Sequence, residues 1–195
     1  MRYGELTVYT GPMFAEKTNT LVKEILFRTY FDDPGKTSIY KPFFDNRYSD
    51  GEVISHDGLK VQATLLKCAS EISTNGIRWA FFDEVQFFTA PNFNGDLVES
   101  IRKLRRAGID VFCSGLDMDY LGRAFEVTAL LMAEADRVEK LRAECEICGA
   151  PATHTARVDV DRQARFEVGS QETYSPMCAA HWSADLDARY PGADE

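Results

Sequence analysis

The chain has 195 residues, 45% of them apolar, with 31 acidic against 22 basic side chains and a formal net charge of −9. That length suits one full domain with a small appended module, and the apolar content suffices for a real core. The acidic balance argues against duplex DNA as a partner, because phosphate neutralisation needs clustered Lys and Arg. No apolar run approaches the ~20 residues that span a bilayer, and the N-terminus lacks a basic-then-apolar signal, so a soluble, cytoplasmic protein without membrane or nucleic-acid partners is expected.

In chain order, Leu6-Thr7-Val8-Tyr9 is a β-prone run ending at Gly11-Pro12, and Thr18 opens a stretch whose Leu21, Val22, Ile25 and Leu26 recur at helical spacing. Thr37-Ser38-Ile39-Tyr40 predicts a second strand. The polar stretch from Lys41 to Gln62 predicts a mobile loop or irregular hairpin. Trp79-Ala80-Phe81-Phe82, running into Asp83-Glu84, predicts a strand buried on both faces. Leu97, Ile101 and Leu104 mark a helix that Gly108 ends, Ile109 to Cys113 reads as another strand, and a helix follows around Thr128 to Ala135. Repeated βα units with right-handed crossovers give an α/β fold: a parallel sheet covered by helices. Cys68 and Cys113 read as small apolar residues, and His154 as an exposed strand residue.

The residues Gly11-Pro12-Met13-Phe14-Ala15-Glu16-Lys17-Thr18 lie between a strand and a helix and match G-x-x-x-x-G-K-[ST] except at the second glycine. In such a P-loop the backbone N–H groups form an anion nest, the lysine meets β- and γ-phosphate oxygens, and the threonine hydroxyl binds Mg²⁺. Asp83, ending a hydrophobic strand, supplies the second Mg²⁺ contact. Glu16 is the departure. A carboxylate about 5 Å from phosphate charge costs roughly 3 kcal/mol at an effective dielectric near 20, on the order of a hundredfold in ATP affinity. If the side chain turns to solvent or to a cation, the cost is milder.

Near the C-terminus, Cys145-Glu146-Ile147-Cys148 and Cys178-Ala179-Ala180-His181 share a two-residue gap, which is metal-ligand spacing. Three thiolates and one imidazole close a tetrahedral shell around Zn²⁺ with no open position, so the metal is structural. Disulfide pairing fits poorly with an odd count of five Cys. The chain thus divides into a nucleotide-binding domain over 1–143 and a zinc-ribbon module over 144–195.

Taken in order, the motifs resemble the zinc-containing thymidine kinase family of the cytosolic and bacterial type along nearly the whole chain. They comprise Gly11-Pro12-Met13-Phe14 with Lys17-Thr18; Lys41-Pro42; Asp45-Asn46-Arg47-Tyr48-Ser49; Ser55-His56-Asp57-Gly58; and Asp83-Glu84-Val85-Gln86-Phe87-Phe88. Gly115-Leu116-Asp117 with Tyr120 and Phe125, Lys140-Leu141, the CxxC, Tyr174 and the CxxH complete the set. The resemblance implies a RecA-like P-loop fold and transfer of the γ-phosphoryl group of ATP to the 5′-hydroxyl of thymidine. It makes Glu84 the catalytic carboxylate and puts Asp45, Asn46, Arg47, Val85 and Gln86 on the nucleotide side, with Arg47 clamping phosphates. It also makes Arg165-Phe166-Glu167-Val168-Gly169, closing at Tyr174, a lasso whose backbone pairs with the thymine edge, while Met13, Phe87, Leu116 and Tyr120 surround the ring. Ordinary core packing is the competing reading for Phe87 and Leu116. A homotetramer and feedback inhibition by thymidine triphosphate (dTTP) also follow from the resemblance. Departures from the family pattern are Glu16, Tyr120 for Phe, Ala124 for Pro, Gly169-Ser170-Gln171 in the lasso, and His181 for a fourth Cys. The competing function is a degenerate relative that binds nucleoside or nucleotide but transfers phosphate weakly, motivated by Glu16.

Overall fold

A computed structural model describes residues 2–43, 52–54, 60–157 and 174–183. Among them, β1 (Leu6–Gly11) leads into α1 (Lys17–Phe31) and β2 (Thr37–Pro42), followed by the short strands β3 (Glu52–Ile54), β4 (Lys60–Gln62) and β5 (Thr64–Leu66). Then come β6 (Trp79–Phe82), α2 (Leu97–Arg106), β7 (Asp110–Leu116), α3 (Glu126–Glu134) and β8 (Arg137–Lys140). The C-terminal part contributes β9 (Ala143–Glu144), β10 (Pro151–Ala152), β11 (His154–Arg157) and β12 (Tyr174–Met177).

The main sheet runs β5-β2-β6-β7-β1-β8, with all neighbours parallel. Alternation along each strand splits the core into two layers. Ala80 and Phe82 of β6, Val111 and Cys113 of β7, and Leu6 and Val8 of β1 face α2 and α3, where they meet Leu97, Ile101, Leu104 and Leu131. Trp79, Phe81, Phe112 and Tyr9 point the other way, onto Leu21 and Ile25 of α1. Phe81 and Phe112 stack with centroids 4.9 Å apart. Both faces of the central strands are therefore covered, as the unbroken apolar run of β6 predicts.

The helices begin and end for local reasons. Asp96 caps α2 by accepting from the Glu99 N–H at 3.0 Å, and the helix stops just before Gly108, as expected. Arg105, buried in the last turn of α2, donates to the Gly4 and Glu134 carbonyls and to Asp136, tying α2, α3 and the entry to β1 together. Burial pushes the Cys113 thiol up, in keeping with its reading as an apolar residue.

Several expectations change. Leu26 sits on the outer side of α1 and is exposed, because the buried face consists of Leu21, Val22 and Ile25. β5 and β8 extend the sheet at its two edges, β5 being only three residues long and β8 mostly charged. β8 is held by its register with β1, Thr7↔Arg137 to Thr10↔Lys140, and not by its own hydrophobicity. Within the polar stretch, β3 and β4 pair antiparallel, as the hairpin alternative anticipates. His154 lies in a strand but is half-buried, its ring stacked on Trp182 at 4.3 Å. No helix of the described residues is long and apolar enough to cross a membrane.

Candidate active site

The loop after β1 is shaped by close backbone approach. Gly11 has φ +140, and a Cβ there would lie 2.3 Å from the Leu141 carbonyl oxygen, so only glycine fits. Leu141 in turn donates its N–H to the Thr10 carbonyl at 2.7 Å, which fixes the strand beside the loop. Pro12 and Ala15 are buried, Met13 and Phe14 half-buried. The Lys17 ammonium folds back over the loop and donates to the Pro12 carbonyl at 2.6 Å.

Glu16 stands directly before α1 in the left-handed region, φ 56 and ψ 29. Its carbonyl accepts the Thr20 N–H at 2.9 Å. Its exposed carboxylate turns sideways and accepts from the buried Asn19 amide at 3.2 Å. The side chain thus takes the milder of the two expected arrangements. Phe14 (φ 64) and Glu84 (φ 54) share the unusual backbone with Glu16. All three non-glycine residues of positive φ among the described residues belong to the predicted site, where backbone strain concentrates.

The strand ends bring the acidic pair to this loop. Asp83 follows β6, is almost fully buried, and accepts from the Thr18 hydroxyl at 3.2 and 3.3 Å. Its main chain is anchored by an N–H bond to the Tyr40 carbonyl at 3.0 Å. The Ser114 hydroxyl, in β7, also donates to Asp83. Ser114 was not anticipated; the signal lay in strand register, since Phe82 pairs with Cys113 and the next residues of the two strands stand side by side. A threonine hydroxyl with carboxylate oxygens is a hard, all-oxygen donor set of the kind Mg²⁺ takes.

Glu84 precedes a 3₁₀ turn, Val85–Phe87. The Gln86 amide donates to the Glu84 carboxylate, and its oxygen accepts the Leu116 N–H at 3.0 Å. Gln86 is buried and bridges Glu84 to the end of β7. Val85 and Phe88 belong to the core, whereas Phe87 and Leu116 lie outside the core clusters and are half-buried.

On the other side of the loop, the Met13 N–H donates to the Thr155 hydroxyl of β11 at 3.0 Å. Two residues along the same face of β11, the fully buried Arg157 places its guanidinium 5.7 Å from the centre of the Tyr120 ring. Tyr120 also lies 6.5 Å from the buried Tyr174. Met13, Tyr120 and Tyr174 are therefore brought to one region, as predicted. Thr155 and Arg157 join them unannounced, and the i, i+2 spacing within a short strand was the one signal available. Asp45, Asn46, Arg47, Tyr48 and Ser49, Ser55 to Gly58, and Arg165, Phe166, Glu167, Val168, Gly169, Ser170 and Gln171 lie outside the described residues.

The predicted metal ligands converge. The ligand atoms of Cys145, Cys148, Cys178 and His181 all lie within 4.8 Å of one another. Cys148 and Cys178 sulfurs are 3.8 Å apart, and the His181 Nδ1 is 3.4 and 3.7 Å from the sulfurs of Cys178 and Cys145. Ligands at Zn–S of about 2.3 Å and Zn–N of about 2.0 Å stand roughly 3.5 to 3.8 Å apart in a tetrahedron, so donor type and spacing both fit zinc. Backbone N–H groups, that of Cys178 foremost, lower the Cys145 thiol to about 6, favouring the thiolate a metal needs.

Comparison with known proteins points to one family. A family model described as thymidine kinase matches residues 4–182. A thymidine kinase of Thermococcus kodakarensis is 37% identical over 191 residues, covering 91% of this chain and 93% of the relative.

Proposed function

The chain belongs to the thymidine kinase family, and we propose that it is an ATP-dependent kinase that phosphorylates the 5′-hydroxyl of thymidine in nucleotide salvage. The observation that carries this reading is the Thr18–Asp83 contact, which joins the phosphate loop to the strand end whose next residue is Glu84.

In this reading the backbone N–H groups of residues 13–18 and the Lys17 ammonium bind the β- and γ-phosphates. Thr18 and Asp83 would hold Mg²⁺, which when bound neutralises charge on the phosphate oxygens. Glu84, aimed by Gln86, accepts the proton of the 5′-hydroxyl as its oxygen attacks in line at the γ-phosphorus. Catalysis is then mostly positioning and charge stabilisation. Arg47, with Asp45 and Asn46, completes the phosphate clamp.

Thymidine would lie between Met13, Phe87, Leu116, Tyr120 and Tyr174, with the segment 165–169 against the base edge and the zinc module, 144–195, holding that segment. Thr155 and Arg157 add polar wall to this pocket. Deoxyuridine should also be accepted, since discriminating one methyl is worth about 1–3 kcal/mol. The enzyme would work in the cytoplasm and be inhibited by dTTP, which offers both a base and a triphosphate to the same site; a net charge of −9 leaves no basis for nucleic-acid binding.

A homotetramer is supported by an apolar stripe on α1, where Leu26, Phe27, Tyr30 and Phe31 are all exposed and Phe31 touches both aromatic neighbours at 4.9 Å. Phe31→Asp should shift the mass measured by light scattering toward smaller species. The degenerate reading is not favoured, because Glu16 reaches sideways to Asn19 and the Thr18–Asp83 contact is formed. Transfer of labelled phosphate from ATP to thymidine by zinc-loaded protein tests the assignment; no product at saturating ATP and Mg²⁺ would sink it.

A further inference from the structure

Trp182 follows the metal ligand His181, and its backbone N–H donates to the Cys178 carbonyl at 2.9 Å, so the turn that presents two ligands also fixes this residue. One face of its indole stacks on the His154 ring, at 4.3 Å and 22°. Its edge meets the backbone of Gly122: a Cβ there would stand 2.6 Å from Cη2 and 3.0 Å from Cζ2 of the indole. The ring therefore rests on bare main chain, without a side chain between that could adjust.

Gly122 belongs to a stiff loop. Its N–H donates to the Asp119 carbonyl at 3.0 Å, and its φ is +74. The buried Asp119 carboxylate accepts the N–H groups of Leu121 and Arg123, each at 2.9 Å. Asp119 N–H bonds to Arg123 O and Phe125 N–H to Asp117 O, both at 2.9 Å, closing the base of the loop. Residues 117–125 are thus cross-braced and should move as a body. Tyr120 rides on that body, two residues from Gly122, facing Arg157 and Tyr174.

We propose that Trp182 is a positioning residue for the nucleoside site: its indole seats the 117–125 loop through Gly122 and so couples the order of the metal-ligand turn to the placement of Tyr120. The inference rests on the reading that Tyr120 lines the thymidine pocket. The phosphate loop is also anchored within the sheet domain, to Leu141 and Asp83, so loss of the indole should weaken thymidine far more than ATP.

The test compares zinc-loaded wild type, Trp182→Ala, Trp182→Phe, Gly122→Ala and the double variant Gly122→Ala/Trp182→Ala. The readouts are KM for each substrate, kcat and zinc per chain. We expect Trp182→Ala to raise the thymidine KM about tenfold, the scale of one lost aromatic contact, with ATP KM within twofold and zinc retained. Trp182→Phe should recover most of the loss. Gly122→Ala should raise the thymidine KM in the same sense, and the double variant should fall short of the product of the single effects, because removing the indole removes the clash. Thymidine binding should also change the Trp182 emission, isolated as the difference between wild type and Trp182→Phe. An unchanged thymidine KM in Trp182→Ala, an equal rise for both substrates, zinc loss in that variant, or multiplicative behaviour of the pair would each overturn the proposal. Absence of thymidine turnover in wild type overturns the functional reading itself, and this inference with it; wild-type turnover with an indifferent Trp182→Ala overturns the inference alone.

Discussion

The phosphate end and the nucleoside end of the site are built in different ways. At the proposed phosphate end, the site consists of eight consecutive residues and the adjacent ends of β6 and β7, and the strands that carry them are buried on both faces by the two largest clusters of apolar side chains. At the nucleoside end, Met13, Tyr120, Thr155, Arg157 and Tyr174 come from four separate parts of the chain. The module that supplies three of them has a small cluster of its own, whose buried members are Cys145, Ala152, Ala156, Met177 and Cys178. Two of those five, Cys145 and Cys178, belong to the cluster that could hold zinc. The sheet holds one half-site by hydrophobic burial, whereas coordination must hold much of the other. The Met13–Thr155 bond joins them, but the two halves should otherwise fail independently.

The sharpest break lies in the chemistry between them. Glu84→Gln keeps shape and the hydrogen bond from Gln86 but removes the proton acceptor, so kcat should fall on the order of 10²–10⁴, with both KM values within a few-fold. Steady-state kinetics would check this, and retained turnover would remove Glu84 from its role. Next in size, stripping zinc with a chelator, or Cys145→Ser, should weaken thymidine binding roughly a hundredfold or more, since the module loses its main source of folding energy. ATP binding should survive within a few-fold because the sheet does not depend on the metal. Calorimetry with each ligand separates the two, and parallel loss of both would show that the halves are one cooperative unit.

The same difference explains what could be read from the sequence. The P-loop, Asp83-Glu84 and the paired metal ligands are short-range patterns, and each expresses chemistry that only certain residue types perform. The central strands were legible because burial on both faces leaves an unbroken apolar run in β6. β8 was not, since Arg137-Val138-Glu139-Lys140 is an edge strand selected by pairing with β1. Ser114 became visible only through the register of two strands, and Thr155 and Arg157 only once β11 was laid against the phosphate loop. His154 looked exposed because its cover, Trp182, lies 28 positions away in sequence. Long-range packing of this kind leaves no local trace.

A smaller effect probes the bridge between the halves. Gln86→Leu removes a buried amide that serves the Glu84 carboxylate and the Leu116 N–H together. An unsatisfied buried group costs about 1–3 kcal/mol, so kcat should fall about tenfold as Glu84 loses its aim, with a lesser rise in thymidine KM as Leu116 shifts. ATP KM should stay near the wild-type value. If ATP KM rises instead, Gln86 serves the phosphate end, as the sequence reading had placed it.

The smallest expected change concerns Glu16. Electrostatics at about 5 Å would impose a cost of roughly 3 kcal/mol on bound phosphate, but the carboxylate is exposed and bonded to Asn19, where solvent screens it. The left-handed backbone at φ 56 costs a non-glycine residue about 1 kcal/mol, a cost to stability shared by the free and bound enzyme. Glu16→Gly should therefore lower the ATP KM only a few-fold and leave kcat within twofold. An ATP titration of the two proteins decides between the terms. A gain near a hundredfold would mean that the carboxylate faces the phosphates during turnover and that the bond to Asn19 does not hold it aside.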